Sequence, residues 1–413
     1  MLRILDLTEA QELITRKAIR LTEAEQIVSP ILEAVRTRGD EAVLEYEQKF
    51  NQTKTVGHAL ACPLNEAASQ VTPQFIDAIQ QAATNIRDYA QTQLPRQHWT
   101  TLPDGRRLGQ IVRPLESMGA YIPSGRYPLP STLLMTVIPA QVAGVKTICI
   151  ASPNPSPEIL TCAQFLGVKN VFRMGGAQAI AAFAFGTATV PRVDRIVGPG
   201  NIYVSAAKKL LAGEVGIDFV AGPTEIVIIA EEGDARFIAA DMLAQAEHDT
   251  EASAILLTTS RALAERVALE VSRQLETLST SAVACEAIRK NSAVILVPSM
   301  EAAVEISNRF APEHLALHDP NLLPFIQHAG SVFLGPSSPE AAGDYASGPN
   351  HVLPTSGAAR IRGGLSTADF VKVISVQELT REGLAKLAPA ITTLARAEGL
   401  EAHARSVEVR LAN

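Results

Sequence analysis

An α/β fold with two Rossmann-like parallel sheets is what the sequence predicts, on three features. From about residue 110 onward, short β-rich runs alternate with amphipathic helical runs, the pattern of βαβ units. The strand runs are too many for one comfortable sheet. Gly175-Gly176 and Gly198-Pro199-Gly200 each close a strand run and open a helical one.

The N-terminal third reads as helical. Leu21–Arg38 carries apolar residues at helical spacing and stops at Gly39, and Phe75–Ala90 behaves alike. Then strand Val145–Ile150 precedes helix Pro157–Gly167, and strand Asn170–Met174 precedes helix Gln178–Phe185. Strand Arg195–Val197 leads to helix Asn201–Leu211, Glu225–Ala230 to helix Ala235–His248, and Ala254–Thr258 to helix Arg261–Leu278. Strand Ala293–Val297, helix Met300–Arg309 and strand Ser331–Leu334 follow, and the tail after Phe370 reads as helical with a break at Gly399. The expected division has four parts. Residues 1–18 form a helical N-terminal segment, 19–120 with 225–369 a first α/β domain, 121–224 a second, and 370–413 a helical tail.

The chain has 413 residues, 47% of them hydrophobic and 5% aromatic, so its core must be mostly Ala, Leu, Val and Ile. Lys and Arg number 36 against 43 Asp and Glu, and the net charge of −7 argues against a nucleic-acid partner. Four cysteines, at 62, 149, 162 and 285, form no C-x-x-C pair, which excludes a thiolate zinc knuckle. Any metal must then be held by His, Asp, Glu or amide oxygen. The start Met1–Asp6 lacks the apolar run of a signal peptide, and the longest apolar stretch, Leu133–Ile150, is broken by Pro139, Gln141, Gly144 and Lys146. The expectation is a cytoplasmic protein with no membrane partner.

Two glycine turns and five further stretches offer chemistry. The two glycine turns suit phosphate or carboxylate, since backbone N–H groups open the helices there, yet neither matches G-x-G-x-x-G because Tyr203 holds the last position. In Gly119–Gly125, Tyr121 could stack on a flat ligand. Gln245-Ala246-Glu247-His248-Asp249 puts Gln245 and His248 one helical turn apart. On chemistry alone Glu247 or Asp249 is the better partner ligand for His248, an amide being a poor zinc ligand. Glu313 and His314 place a carboxylate beside an imidazole just after Pro312, two proton-transfer groups of different basicity. His314 and His318 are four apart but lack the Glu of H-E-x-x-H. The long polar stretch Ala342–Gly357 supplies Asp344 and His351, and Glu398 and His403 flank the Gly399 break.

Taken in order and spacing, the blocks Tyr121–Gly125, Gly175–Ile180, Gly198–Val204, Ala221–Ile226, Gln245–His248, Pro312–Leu315, Gly343–Thr355 and Ala397–Val407 make the chain resemble the histidinol dehydrogenase family over essentially its whole length. The resemblance implies NAD-dependent four-electron oxidation of L-histidinol to L-histidine through L-histidinal, the last step of histidine biosynthesis. It implies zinc on Gln245, His248, Asp344 and His403, which replaces the carboxylate preferred above. It implies that His314 takes the alcohol proton and that Glu313 activates water, for which Glu313 should have a raised pKa. Substrate contacts carry over to Thr224, Gln245, His248, His314, Asp344, Glu398 and His403, and NAD contacts to Tyr121, Gln178 and Asn201. Thr224 stands where some members carry Ser, which keeps the hydroxyl. The family's interleaved homodimer implies that the C-terminal tail completes the partner's site. Two rival readings are a zinc hydrolase acting through Glu313 and a binding protein that has lost catalysis.

Overall fold

The computed structural model describes residues 2–15, 21–51, 60–64, 70–124 and 127–412. Gly125, at the end of the Tyr121 block, and His58 lie outside the described residues. The expected parallel sheets are present. The larger has six strands in the order Arg3–Leu5, Ala293–Leu296, Ser253–Thr258, Glu225–Ile229, His314–Leu317, Ser331–Leu334. The smaller has five, in the order Asn170–Arg173, Thr147–Ser152, Ser117–Tyr121, Arg195–Val197, Gly216–Ile217. Every pairing in both is parallel.

Apart from the edge strand Arg3–Leu5, each sheet starts from an inner strand, steps outward twice, then crosses back to the other side. That is the doubly wound nucleotide-binding order, with a crevice where the winding reverses. In the small sheet the reversal lies between Ser117–Tyr121 and Arg195–Val197; in the large one, between Glu225–Ile229 and His314–Leu317. Residues 218–224 join the carboxyl end of the small sheet's last strand to the amino end of Glu225–Ile229. The carboxyl ends of one sheet are thereby tied to the amino ends of the other.

Each sheet is covered on both faces, as its continuous apolar strands require. One face of the large sheet packs helices Ala235–Ala246, Arg261–Leu275 and Ser281–Asn291, and the other packs Met300–Phe310. Helices Gly176–Phe185 and Ile202–Leu211 cover one face of the small sheet. Pro73–Thr92, Pro130–Ala143 and Pro157–Phe165 cover the other. Val28, Ile31, Leu32 and Val35 recur at helical spacing, which aims one stripe of Thr22–Arg38 at helices Gly176–Phe185 and Ile202–Leu211. The helix ends at Gly39, whose φ of +57° suits a residue without Cβ.

Four expectations are corrected. The N-terminal segment is not simply helical: Arg3–Leu5 pairs with Ala293–Ile295 as an edge strand, and Gln11–Ile14 is its described helix. Helices from the 19–120 stretch pack on the small sheet rather than the large one, because their apolar stripes match its helices. The small sheet begins before residue 121, with Ser117–Tyr121 as its central strand. The tail is not all helix: Val371–Leu379 pairs antiparallel with Arg106–Pro114, which also pairs with His98–Thr101. Helices Arg381–Ala397 and Glu401–Leu411 follow, separated at Gly399. No helix among the described residues is long and apolar enough to cross a membrane.

Candidate active site

The central imidazole comes from the first residue of a buried strand. Helix Met300–Phe310 stops at Ala311, in the left-handed region at φ +51°, and Pro312 cannot continue it. The chain then enters His314–Leu317 between two strands, so Glu313 and His314 arrive at the sheet's amino edge, both buried. The sequence places this pair just after Pro312 without marking a strand there. The strand was hidden because only three apolar residues, Leu315, Ala316 and Leu317, follow on the polar Glu313 and His314.

Glu313 Oε2 accepts from the backbone N–H of Glu225 at 3.0 Å and from the Thr224 hydroxyl at 2.5 Å. That hydroxyl is shared with the Gln245 amide, 2.6 Å away. Gln245 is fully buried, and its amide also lies 2.7 Å from Glu340 Oε1 and 3.2 Å from His314 Nδ1. His314 Nδ1 is 3.6 Å from Glu313 Oε2 and 3.7 Å from Glu340 Oε1, while Nε2 is 3.7 Å from Asp344 Oδ1. His314 Nε2 is buried and has no hydrogen-bond partner. A buried nitrogen left unpaired at the mouth of such a cluster is placed to meet a ligand.

Burial pushes the Glu313 carboxyl up to about 7, as a general base for water requires. Burial opposes a charge on His314, but Glu340, Glu313 and Asp344 outweigh it and push the imidazole up to about 10. That exceeds the neutral value expected of an imidazole base. Burial carries Glu340 well above the usual carboxylate range, and Asp344, Glu313 and Asp241 add to it against the pull of His314. Asp241, one helical turn before Gln245, is itself pushed up to about 6 by burial. Burial raises Asp344 too, yet His314, His351 and His248 hold it below its usual value.

His248 stands just past the end of helix Ala235–Ala246, with Nε2 3.8 Å from Asp344 Oδ2. One ligand atom each from His248, Glu340 and Asp344 can lie within 4.8 Å of one another. This nitrogen and oxygen donor set, in a pocket crowded with buried carboxylates, fits a divalent cation. Gln245 faces the cluster. Glu247 does not: its carboxylate accepts from Thr280 at 2.5 Å. Asp249 accepts from the Glu251 N–H at 3.0 Å. The helix thus presents the amide rather than either carboxylate that chemistry alone preferred.

Asp344 comes from the short helix Glu340–Tyr345, which opens the long polar stretch. His351 Nδ1 lies 2.7 Å from the Asp344 carbonyl and its Nε2 3.2 Å from Thr132 Oγ1, which ties the stretch to helix Pro130–Ala143 under the small sheet. Glu398 and His403 are exposed on the C-terminal helices and stand outside this cluster. Sequence reading missed Glu340 and Asp241. Glu340 looks like an ordinary acid in a first helical turn, and nothing local marks its burial.

Tyr121, Gln178 and Asn201 sit on the turns that leave the small sheet's carboxyl edge. Tyr121 ends the central strand, and its carbonyl crosses the Gly198 turn so closely that a Cβ on Gly198 would meet it at 2.2 Å. Gly198 also has φ +107°, so this turn requires glycine twice over. Asn201 caps helix Ile202–Leu211 by accepting from Tyr203 and Val204 N–H, both at 3.1 Å. Gln178, in the first turn of Gly176–Phe185, is buried.

Two nucleotide-type sheets joined edge to edge, with an acid–base pair and a cation-suited cluster at the join, define a two-sheet α/β enzyme. A family model for histidinol dehydrogenase matches residues 14–411. A Bacillus cereus histidinol dehydrogenase is 48% identical over 392 residues, covering 93% of this chain and 91% of the relative. One from Geobacter metallireducens is 47% identical over 401 residues, covering 94% and 92%. The crystal structure of the Elizabethkingia anophelis histidinol dehydrogenase superposes with a TM-score of 0.95 at 38% identity, covering 99% of this chain and 98% of that one. The chain belongs to the histidinol dehydrogenase family, and it is a dehydrogenase of histidine biosynthesis.

Proposed function

We propose that the protein oxidises L-histidinol to L-histidine in two NAD-dependent steps at one site, with a zinc ion orienting the substrate. The observation that carries this reading is the pairing of Glu313, raised to about 7, with a buried and unpartnered His314 Nε2. The two steps need two differently placed bases, and the site holds two.

Gln245, His248, Asp344 and a partner subunit's His403 would hold zinc, which fixes the substrate's imidazole and amino nitrogens when bound. Tyr121, Gln178 and Asn201 would hold NAD, which when bound would supply a hydride acceptor. In the first step, His314 Nε2 takes the alcohol proton as hydride leaves the carbinol carbon, giving histidinal. Glu313 then takes a proton from water, whose oxygen adds to the aldehyde carbon. The resulting hydrate anion loses a second hydride and becomes the carboxylic acid. Glu340, Glu313 and Asp344 hold a proton on His314 while their charge is unopposed. A bound cation and a substrate amine would oppose that charge and leave the imidazole free to act as base. Thr224 keeps the hydroxyl that Glu313 and Gln245 share.

Glu398 and His403 belong to this reading through a second chain. Both are exposed, and Val373, Ile374, Leu394, Leu400 and Val409 leave an unusual amount of apolar surface on the same C-terminal stretch. Two copies exchanging these segments would cover that surface and complete both sites. The chemistry is that of a cytoplasmic biosynthetic enzyme.

Protein supplied with zinc, NAD and L-histidinol should form NADH, and a chelator should stop it. A hydrolase acting through Glu313 would instead show chelator-sensitive hydrolysis with no NADH, which would overturn the reading.

A further inference from the structure

Both glycine turns of the small sheet are filled from within the chain. Gly198 N–H donates to Asp218 Oδ2 at 2.8 Å, and Asn201 takes the first N–H groups of the following helix. At Gly175-Gly176 the filling group is a carboxylate from outside the sheet. Glu47, on helix Asp40–Asn51, is 1% exposed, and its Oε1 accepts from Gly175 N–H at 2.7 Å and from Gln178 Nε2 at 2.8 Å. The Tyr121 phenol oxygen accepts the next N–H, that of Gly176, at 3.1 Å.

A carboxylate at the positive end of a helix, bonded by the N–H of its capping residue Gly175, occupies the place that a nucleotide fold gives to phosphate. Its second bond fixes the direction of the Gln178 amide. With Nε2 turned to Glu47, Oε1 points the other way, and it is buried with no hydrogen-bond partner. It lies against the bare α-carbon of Gly176, where a Cβ would meet it at 2.9 Å. A buried acceptor left open beside a glycine suits a donor on a ligand, of the class of a ribose hydroxyl or a carboxamide N–H.

We propose that Glu47 is a resident anion that closes the Gly175-Gly176 helix start to cofactor phosphate and positions Gln178, so that Gln178 Oε1 accepts from a donor group of the dinucleotide. The inference rests on the NAD reading above. It explains how a nucleotide-type sheet binds its dinucleotide without G-x-G-x-x-G: the phosphate cradle is occupied by protein, and recognition passes to side chains.

The test is steady-state kinetics of Glu47→Ala and Glu47→Gln against both substrates. In Glu47→Ala the Kd for NAD, read by calorimetry without L-histidinol, and the KM for NAD should both rise about tenfold, the worth of one charge-assisted hydrogen bond, while the KM for L-histidinol stays put. Formate or acetate should enter the vacated position and bring the KM for NAD back down, with no such effect on the unaltered protein. If Glu47→Ala does not fold, the isosteric Glu47→Gln should show a smaller rise in the constants for NAD alone. An unmoved KM for NAD, or the KM values for NAD and L-histidinol moving together without rescue by the anion, overturns the inference while leaving the cofactor reading intact. An unaltered protein that forms no NADH overturns the cofactor reading and this inference with it.

Discussion

Glu313 and His314 stand side by side in the chain yet meet different surroundings. Glu313 is buried against hydrogen-bond donors, and His314 is buried among carboxylates. Their substitutions should therefore differ in kind. Glu313→Gln should slow histidinal oxidation about a hundredfold or more, the usual worth of a general base, while leaving the alcohol step less affected. His314→Ala should slow both steps, and single-turnover rates on each substrate would show the difference. With Glu313 at about 7, histidinal oxidation should rise as pH passes through 7 and the carboxylate forms. The sign for stability is opposite. The folded chain holds a proton on Glu313 between its ordinary 4.5 and about 7 that the unfolded chain releases, so its contribution falls as pH rises across that window. Glu313→Gln should flatten the decline of Tm with pH over that range, and an unchanged slope would contradict the assignment. This pair was legible in the sequence because the two groups are adjacent. Glu340 was not: it reaches His314 from a separate element, and only folding reveals its burial.

At the scale of elements, helices and turns were read well where local chemistry decides them, as at Thr22–Arg38 with its Gly39 stop and at Arg195–Val197 before its glycine turn. The missed elements were those that tertiary contacts decide. The ribbon of His98–Thr101, Arg106–Pro114 and Val371–Leu379 is largely exposed and carries Arg107 facing Glu378, so no continuous apolar face marks it. The Gly198 turn depends on a device equally invisible in sequence. Lys208 and Asp218 form a buried ion pair, and Lys208 also donates to the Gly198 carbonyl at 3.0 Å. Between them they hold both backbone groups of Gly198. Breaking such a pair strands a buried charge, so Lys208→Met should lower stability by about 3 kcal/mol in denaturant unfolding. Adding Asp218→Asn should recover part of that loss, because the stranded charge is then gone. Full additivity of the two losses would contradict the coupling.

For the whole molecule, α/β class and two parallel sheets followed from alternating strands and helices, but strand order did not. That Arg3–Leu5 extends the large sheet, and that the 19–120 helices serve the small one, are matters of which apolar stripes fit together at long range. The order places the acid–base pair at the amino edge of one sheet, tied by residues 218–224 to the carboxyl edge of the other. The C-terminal segment leaves Glu398 and His403 in solvent, so the proposed metal set is incomplete within one chain. His403→Ala should release zinc. Mixed with Glu313→Gln after subunit exchange, it should recover activity in hybrids that carry one intact site. No recovery after confirmed exchange would argue against shared sites.

The central claim is that one site carries the same substrate through two oxidations. Its most direct test is the ratio of NADH formed to L-histidine released, measured with zinc present and L-histidinol limiting. Two NADH for each histidine, with histidinal not accumulating, is the expected result. One NADH with free histidinal as the end product, or histidine formed without NADH, would contradict it.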